Sequence, residues 1–180
     1  MKRFRFALLL SLLAATLFGA ASAAKAQTVG LYVTATGTRL NIPNTSWIYG
    51  ATMGGYFDSN RFTFLKLKPG IDARGAFLFG NSNEALYTAM AGPRISFHPK
   101  KIHIVPYGEA LFGLGNLTYG EGYPSYTSNS FEYQILGGAD IKLTQRFDWR
   151  PIEFGVGHLS DVNGTYYPKS ISTGFVFRLK

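Results

Sequence analysis

Residues 131–143, with the sequence FEYQILGGADIKL, decide the fold. Successive side chains of a β-strand point to opposite sides, so one face of this segment carries Phe131, Tyr133, Ile135, Ala139, Ile141 and Leu143. The opposite face carries Glu132, Gln134, Asp140 and Lys142. This alternation predicts a strand with one apolar and one charged face.

The same two-residue period recurs after Gln27, and no helical period lasts for ten residues. Turn-forming clusters divide the chain into predicted strands at 28–38, 47–57, 62–79, 84–97, 102–115, 131–143, 150–159 and 169–179. Short connections tend to alternate with longer ones, of which Asn116–Ser130 is expected to be a mobile surface loop. The prediction is an all-β, eight-stranded antiparallel up-and-down barrel that crosses an outer membrane.

Alternation alone does not say which face points outwards, and a soluble barrel such as a lipocalin would place the apolar face inside. Charges of both signs lie in mid-strand, where they pair in a lumen but would be costly if buried alone. Glycines are frequent on the polar face, where they leave room in a narrow barrel. Aromatic residues near the strand ends fit the interfacial girdles of a membrane barrel: Trp47, Phe57, Phe79, Phe97, Phe131 and Phe177. These features favour an apolar outer wall.

The polar face places twelve charged side chains in the predicted lumen: Lys66, Lys68, Asp72, Arg74, Glu84, Arg94, Glu109, Glu132, Asp140, Lys142, Glu153 and Arg178. An eight-stranded barrel is just wide enough for side chains to fill it. We interpret these twelve side chains as a network of salt bridges that fills the lumen. The alternative is a narrow gated pore in which Arg94 moves between Glu109 and another carboxylate.

Four prolines interrupt the predicted strands, at Pro69, Pro93, Pro106 and Pro151. A closed barrel has no edge to accommodate proline, so we expect β-bulges there. Phe62 and Phe64 are out of phase with the rest of their strand, which predicts a further bulge near Phe64.

Residues 1–26 are predicted to be a cleavable signal peptide that precedes a barrel at 27–180. A basic start, an apolar run over 6–21 and a small-residue end form the usual three-part plan. Cleavage is expected after Ala26, with Ala23 as the alternative, and a membrane anchor is the competing interpretation.

The absence of cysteine excludes disulfides, thiolate zinc sites and a cysteine nucleophile. The barrel has 14 basic and 10 acidic residues spread thinly, so no nucleic-acid partner is expected.

Three segments resemble strands of outer-membrane β-barrel domain proteins, similar to the eight-stranded membrane domain of outer membrane protein A: Ala91–Phe97, Pro106–Gly113 and Leu136–Lys142. The C-terminal residues Ser172, Gly174, Phe177 and Leu179 resemble the signal that the barrel assembly machinery reads during biogenesis. The usual last aromatic residue of that signal is replaced by Leu179, with Lys180 after it. The resemblance implies a bacterial outer-membrane location, and no periplasmic peptidoglycan-binding domain is expected.

His158 and Ser160 resemble the catalytic base and nucleophile of eight-stranded lipid A deacylases. The match is partial, because those enzymes have asparagine where this chain has Asp161, and a later glutamate that this chain lacks. His98 and His103 have no further ligand nearby in sequence, so neither a metal site nor a cofactor is predicted.

The sequence therefore predicts a non-enzymatic outer-membrane barrel with a structural or interaction role. Its expected partners are outer-membrane lipids, the assembly machinery and an extracellular partner that binds the loops, chiefly 117–130. The alternatives are a lipid A-modifying hydrolase that uses His158 and Ser160, and the narrow gated pore.

Overall fold

The structure is a computed structural model that describes residues 27–41, 47–60, 65–80, 84–99, 102–119, 126–161 and 164–179. The strands in these ranges are β1 (Gln27–Arg39), β2 (Trp47–Ser59), β3 (Leu67–Phe79), β4 (Ala85–Phe97), β5 (Ile104–Tyr119), β6 (Tyr126–Lys142), β7 (Phe147–Asp161), β8 (Gly164–Tyr166) and β9 (Lys169–Leu179). Within the described ranges, no helix has the length and apolar character needed to cross a membrane. The predicted signal peptide lies outside them.

The strands form one closed antiparallel barrel. Each of β1 to β7 pairs with its neighbour in the chain, and β9 pairs with both β7 and β1. The three residues of β8 pair with the end of β7, so β8 and β9 together form the eighth strand, interrupted at Pro168. The predicted eight-stranded up-and-down barrel is confirmed.

The end of the barrel at which β1 finishes is called the upper end. The opposite end, at which β1 begins and β9 finishes, is called the lower end. The β5–β6 hairpin pairs without interruption up to Tyr119 and Tyr126, whereas the pairing of β6 with β7 begins only at Phe131. The hairpin therefore projects at the upper end, and the prediction of a long loop over Asn116–Ser130 is wrong. Continuous cross-strand pairing overrides the loop-like Gly, Ser and Tyr composition.

The apolar faces of the strands form the outer wall. Ile135 and Phe175 are each 60 % exposed, whereas Arg94 and Glu109 are 3 % and 4 % exposed inside the barrel. The aromatic residues predicted to form girdles lie near the strand ends: Trp47, Phe79 and Phe131 towards the upper end, and Phe57, Phe97 and Phe177 towards the lower end. The predicted inverted arrangement is confirmed, and the soluble-barrel alternative is wrong.

The third strand begins later than predicted. Leu65 and Lys66 have φ angles of 49° and 68°, in the left-handed region that interrupts an extended strand. The alternation of faces therefore starts at Leu67, and Lys66 is exposed in the turn rather than in the lumen. Phe62 and Phe64, with the bulge predicted beside them, lie outside the described residues.

One of the four predicted proline bulges is present. Between Arg150 and Glu153, β7 has one residue more than its partner strand β9, and the pairing with β6 shifts at the same place. The prediction is wrong at Pro69, Pro93 and Pro106, where no register shift occurs. Pro69 and Pro106 lie close to the start of a strand, where a missing N–H donor costs little.

Candidate functional site: the charged lumen

The predicted lumen charges divide between the middle of the barrel and its ends. Seven of them are buried in the interior: Asp72, Arg74, Arg94, Glu109, Glu132, Asp140 and Glu153. Lys68, Lys142 and Arg178 are half-buried at the lower end, and Glu84 is half-buried just before β4 at the upper end.

Three buried charges were not predicted from the sequence: Asp58, Asp148 and Arg150. Asp58 and Asp148 were assigned to turns, but β2 and β7 extend through them. In a regular strand Arg150 would face the same side as Ile152, which points outwards. Arg150 reaches the interior instead, because the bulge at Pro151 reverses the alternation of faces. The proline was the signal in the sequence that could have identified it.

Arg150 is the most enclosed cation, with no solvent exposure. Its Nε and Nη2 atoms donate to the two carboxylate oxygens of Asp140 at 2.8 and 3.2 Å. Its Nη1 atom donates to Glu153 at 3.1 Å. Such two-pronged contacts are among the stronger and more directional hydrogen bonds in proteins.

Arg74 joins three carboxylates from three different strands. It donates to Glu153 at 2.8 Å, to Asp72 at 3.1 Å and also to Glu109. Because Asp72, Glu109 and Glu153 lie on β3, β5 and β7, this guanidinium connects strands across the full width of the lumen.

Arg94 continues the network towards the lower end. It donates to Glu109, and its Nε and Nη2 atoms lie 3.3 Å from Asp58 and 3.5 Å from Asp140. Asp58 also accepts a hydrogen bond from Ser96 at 2.8 Å. Each of the three buried arginines therefore contacts at least two carboxylates.

Tyrosine rings separate and orient the guanidinium groups. Arg94 lies between the rings of Tyr56 and Tyr107, at 4.1 and 3.9 Å from their centroids. Arg150 lies between Tyr32 and Tyr107, at 4.4 and 4.6 Å. The hydroxyl of Tyr107 donates to Glu153 at 2.6 Å, and that of Tyr32 donates to Asp72 at 2.8 Å. Cation–π contacts of this kind are strongest where water is excluded.

Glycines opposite these tyrosines create the space for the rings. Gly54 pairs with Tyr32 and Gly138 pairs with Tyr107. A Cβ atom at Gly138 would lie 2.6 Å from the Tyr107 hydroxyl, and one at Gly54 would collide with the Tyr32 ring. Gly54 and Gly138 thus make room for aromatic rings and only indirectly for the arginines.

The lumen is not polar throughout. Above the charged network, inward-facing apolar side chains form a buried cluster: Leu40, Ile48, Ala76, Leu78, Leu86, Leu117 and Leu159. A small cavity separates the cluster from Arg74 and Glu153, and its other lining residues include Thr36, Thr52 and Thr88. Polar parity in the sequence did not predict this apolar filling.

Glu132 is buried away from the arginines. The side-chain amide of Gln134 donates to one of its carboxylate oxygens at 2.6 Å, and the other oxygen has no hydrogen-bond partner among the described residues. Leu159 and Glu132 both lie within 3 Å of the position where a Cβ atom on Gly115 would be placed. Glu132 thus borders the apolar cluster and takes no part in the ion-pair network.

A cleft opens at the lower end, below the network. Its lining includes the basic side chains Lys68, His98, Lys142 and Arg178 and the acidic side chains Asp140 and Asp148. Arg178 is paired with Asp148 at 2.8 Å. His98 is hydrogen-bonded to Ser96 at 3.0 Å and lies 3.7 Å from Asp58.

The side chains of His158 and Ser160 lie on the outward-facing side of β7. The His158 ring stacks on Tyr133 with 5.0 Å between ring centroids and meets the edge of Tyr167 at 5.5 Å. Within the described part of the chain, its Nδ1 atom has no hydrogen-bond partner. In the part of the chain that the structure describes, no group of three or more metal-binding side chains is assembled.

The sequence matches no protein-family model and no curated protein. The fold is similar to that of Neisserial surface protein A, with 13 % identity, a TM-score of 0.56, and coverage of 85 % of this chain and 97 % of that one. The attachment invasion locus protein Ail of Yersinia pestis also matches, with 12 % identity, a TM-score of 0.48, and coverage of 84 % of this chain and 99 % of Ail. The N-terminal β-barrel domain of Pseudomonas aeruginosa OprF matches with 14 % identity, a TM-score of 0.46, and coverage of 82 % of this chain and 97 % of that domain.

A closed barrel with an apolar outer wall and a charged interior satisfies its backbone hydrogen bonds in lipid and belongs to the class of membrane-spanning β-barrels. More specifically, the chain has the fold of the eight-stranded outer-membrane β-barrels. Its location is the bacterial outer membrane.

Proposed function

We propose that this protein is a non-enzymatic outer-membrane barrel with a closed lumen and a structural and interaction role. The observation that carries the proposal is the filling of the lumen at two levels. The arginine–carboxylate–tyrosine network occupies the middle of the barrel, and the apolar cluster around Leu86 and Leu117 lies above it.

The contacts of Arg94 argue against a switching gate. To move between carboxylates, its guanidinium would have to leave Glu109, Asp58 and two flanking tyrosine rings. A buried charge that loses its partners incurs a large desolvation cost. A gate at this position would still leave the apolar cluster in the path of an ion.

We expect the purified protein to give no stable conductance steps in planar lipid bilayers, because both levels of the filling exclude hydrated ions. The measurement is single-channel recording, with a general diffusion porin in the same membranes as the positive control. Reproducible unitary steps from the folded, heat-modifiable form would contradict the closed lumen.

The interaction role is assigned to the upper end. Short turns of outer-membrane barrels face the periplasm and longer loops face outwards, and the β5–β6 hairpin projects at the upper end. We propose that this hairpin contacts an extracellular partner, that outer-membrane lipids surround the apolar wall, and that Ser172, Gly174, Phe177 and Leu179 of β9 form the signal for the assembly machinery.

The surroundings of His158 argue against a lipid A hydrolase. The ring is held between Tyr133 and Tyr167, and among the described residues no hydrogen bond links it to Ser160 or to a carboxylate. A histidine that activates a serine needs such a bond to the nucleophile and normally a third group that orients the ring.

We therefore expect Ser160→Ala and the wild-type protein to leave the same pattern of lipid A acylation when each is expressed in outer membranes. Mass spectrometry of extracted lipid A is the measurement, and a strain without the protein is the control. Loss of an acyl chain in the presence of the wild-type protein but not of Ser160→Ala would establish the hydrolase instead.

A further inference from the structure

We propose that the cleft at the lower end binds a phosphate group, either free or carried by a lipid headgroup, between the side chains of Lys68 and Lys142. The cleft is about 410 Å³ in volume, part of it open to solvent. Both lysines line it, and each belongs to a barrel strand that fixes its backbone.

Among the described residues neither lysine forms a salt bridge, although Asp58 attracts Lys68 and Asp148 attracts Lys142 at longer range. The acidic groups of the lower end are Asp58, Asp140 and Asp148, and each lies against an arginine: Asp58 at 3.3 Å from Arg94, Asp140 at 2.8 Å from Arg150, and Asp148 at 2.8 Å from Arg178. Among the described residues, neither Lys68 nor Lys142 has an acidic oxygen within 4.0 Å.

The remaining lower connections supply no further acid. Residues 61–64 and 100–101 read RFTF and KK, so the sequences of these connections contain no acidic side chain. Partial burial disfavours the charged ammonium of Lys68, and repulsion from Lys142 adds to this cost, while attraction from Asp58 opposes it. An anion that bridges both groups would remove this repulsion.

Phosphate suits the chemistry of the cleft. Inorganic phosphate, like a phosphate monoester, carries a charge of about −1.5 to −2 at pH 7 and has at least three acceptor oxygens. A phosphodiester headgroup carries a single negative charge and two free oxygens, which is still enough to accept from two ammonium donors. The remaining donors at the wall are the hydroxyls of Thr28 and Tyr56 and the ring of His98. Arg178 adds positive potential, although its guanidinium is already held by Asp148 and by the carbonyl of Thr144 at 2.8 Å.

Calorimetric titration with inorganic phosphate tests the site, using the full-length mature barrel in phosphatidylcholine nanodiscs. Ionic strength is held constant with sodium chloride, because screening alone would weaken any surface attraction. We expect saturable binding by the wild-type protein, and affinities reduced about tenfold or more in Lys68→Gln and in Lys142→Gln, since each loses a charge-assisted hydrogen bond.

Lys169→Gln is the matched control, because it removes one exposed lysine at the opposite end of the barrel. Heat-modifiable gel mobility checks that each variant is folded, and neither cleft lysine has an ion pair whose loss would unfold the barrel. Absence of saturable binding by the wild-type protein would overturn the proposal. So would an equal loss of affinity in Lys169→Gln and Lys142→Gln.

A second set of nanodiscs identifies the source of the phosphate. If anionic phosphatidylglycerol weakens the binding of inorganic phosphate to the wild-type protein but leaves Lys142→Gln unchanged, a lipid headgroup occupies the cleft. If affinity is the same in both kinds of disc, the cleft takes a water-soluble phosphate compound.

Discussion

We expect the Arg150→Met variant to lose about 3–5 kcal/mol of its free energy of unfolding, the usual cost of removing one partner from a buried ion pair. Methionine keeps an apolar chain of similar length between the rings of Tyr32 and Tyr107. The loss therefore comes from the carboxylates of Asp140 and Glu153, which remain buried without the hydrogen bonds that Arg150 donated.

Urea unfolding of the barrel in phosphatidylcholine vesicles, followed by heat-modifiable gel mobility, measures the effect. Arg146→Met is the control, because Arg146 is exposed in the lower connection between β6 and β7. Adding Asp140→Asn to Arg150→Met is expected to restore part of the stability, since it removes the carboxylate charge that accepted two of the three hydrogen bonds from Arg150. Equal unfolding curves for Arg150→Met and Arg146→Met would contradict the assignment of Arg150 to the network.

The alternation of side chains predicted the fold because the membrane constrains the outer face strictly. Outward positions between the girdles are chiefly apolar, so the period of Ile135, Phe154 and Phe175 is visible in the sequence alone. Strand number follows from that period, and the direction of each face follows from the mid-strand charges, the polar-face glycines and the aromatic residues near the strand ends. The boundaries of β3, β5 and β6 do not, because they depend on local backbone conformation and on pairing with a neighbour.

The interior is constrained less, so its contents were predicted only in part. A lumen that is filled like a protein core accepts both charged and apolar side chains, and Leu86, Leu111 and Leu136 share the inward face with the arginines. Which charges pair with which depends on how the barrel closes across its diameter. The contact of Arg74 with Glu153, 79 residues away in sequence, is of this kind.

The Ile135→Arg variant is expected to have the second-largest effect, with a loss of about 2–4 kcal/mol in the same vesicles, the cost of an arginine at the lipid-facing midplane of a barrel. Ile135 pairs with Ala110 and Val156 at mid-strand and is 60 % exposed on the outer wall. Its replacement therefore exchanges apolar surface in contact with acyl chains for a charge that has no partner there.

Ile102→Arg provides the comparison, because Ile102 is similarly exposed but precedes β5 at the lower end. Near the interface an arginine costs only about 0–1 kcal/mol, since its guanidinium reaches water and lipid phosphates. The two variants thus compare an outward position in the middle of the barrel with one near its end. A large loss of unfolding free energy at Ile135 and a small loss at Ile102 require lipid around the middle of the barrel. Equal and small losses at both positions would mean that water surrounds the wall, and the assignment of a membrane-spanning barrel would fail.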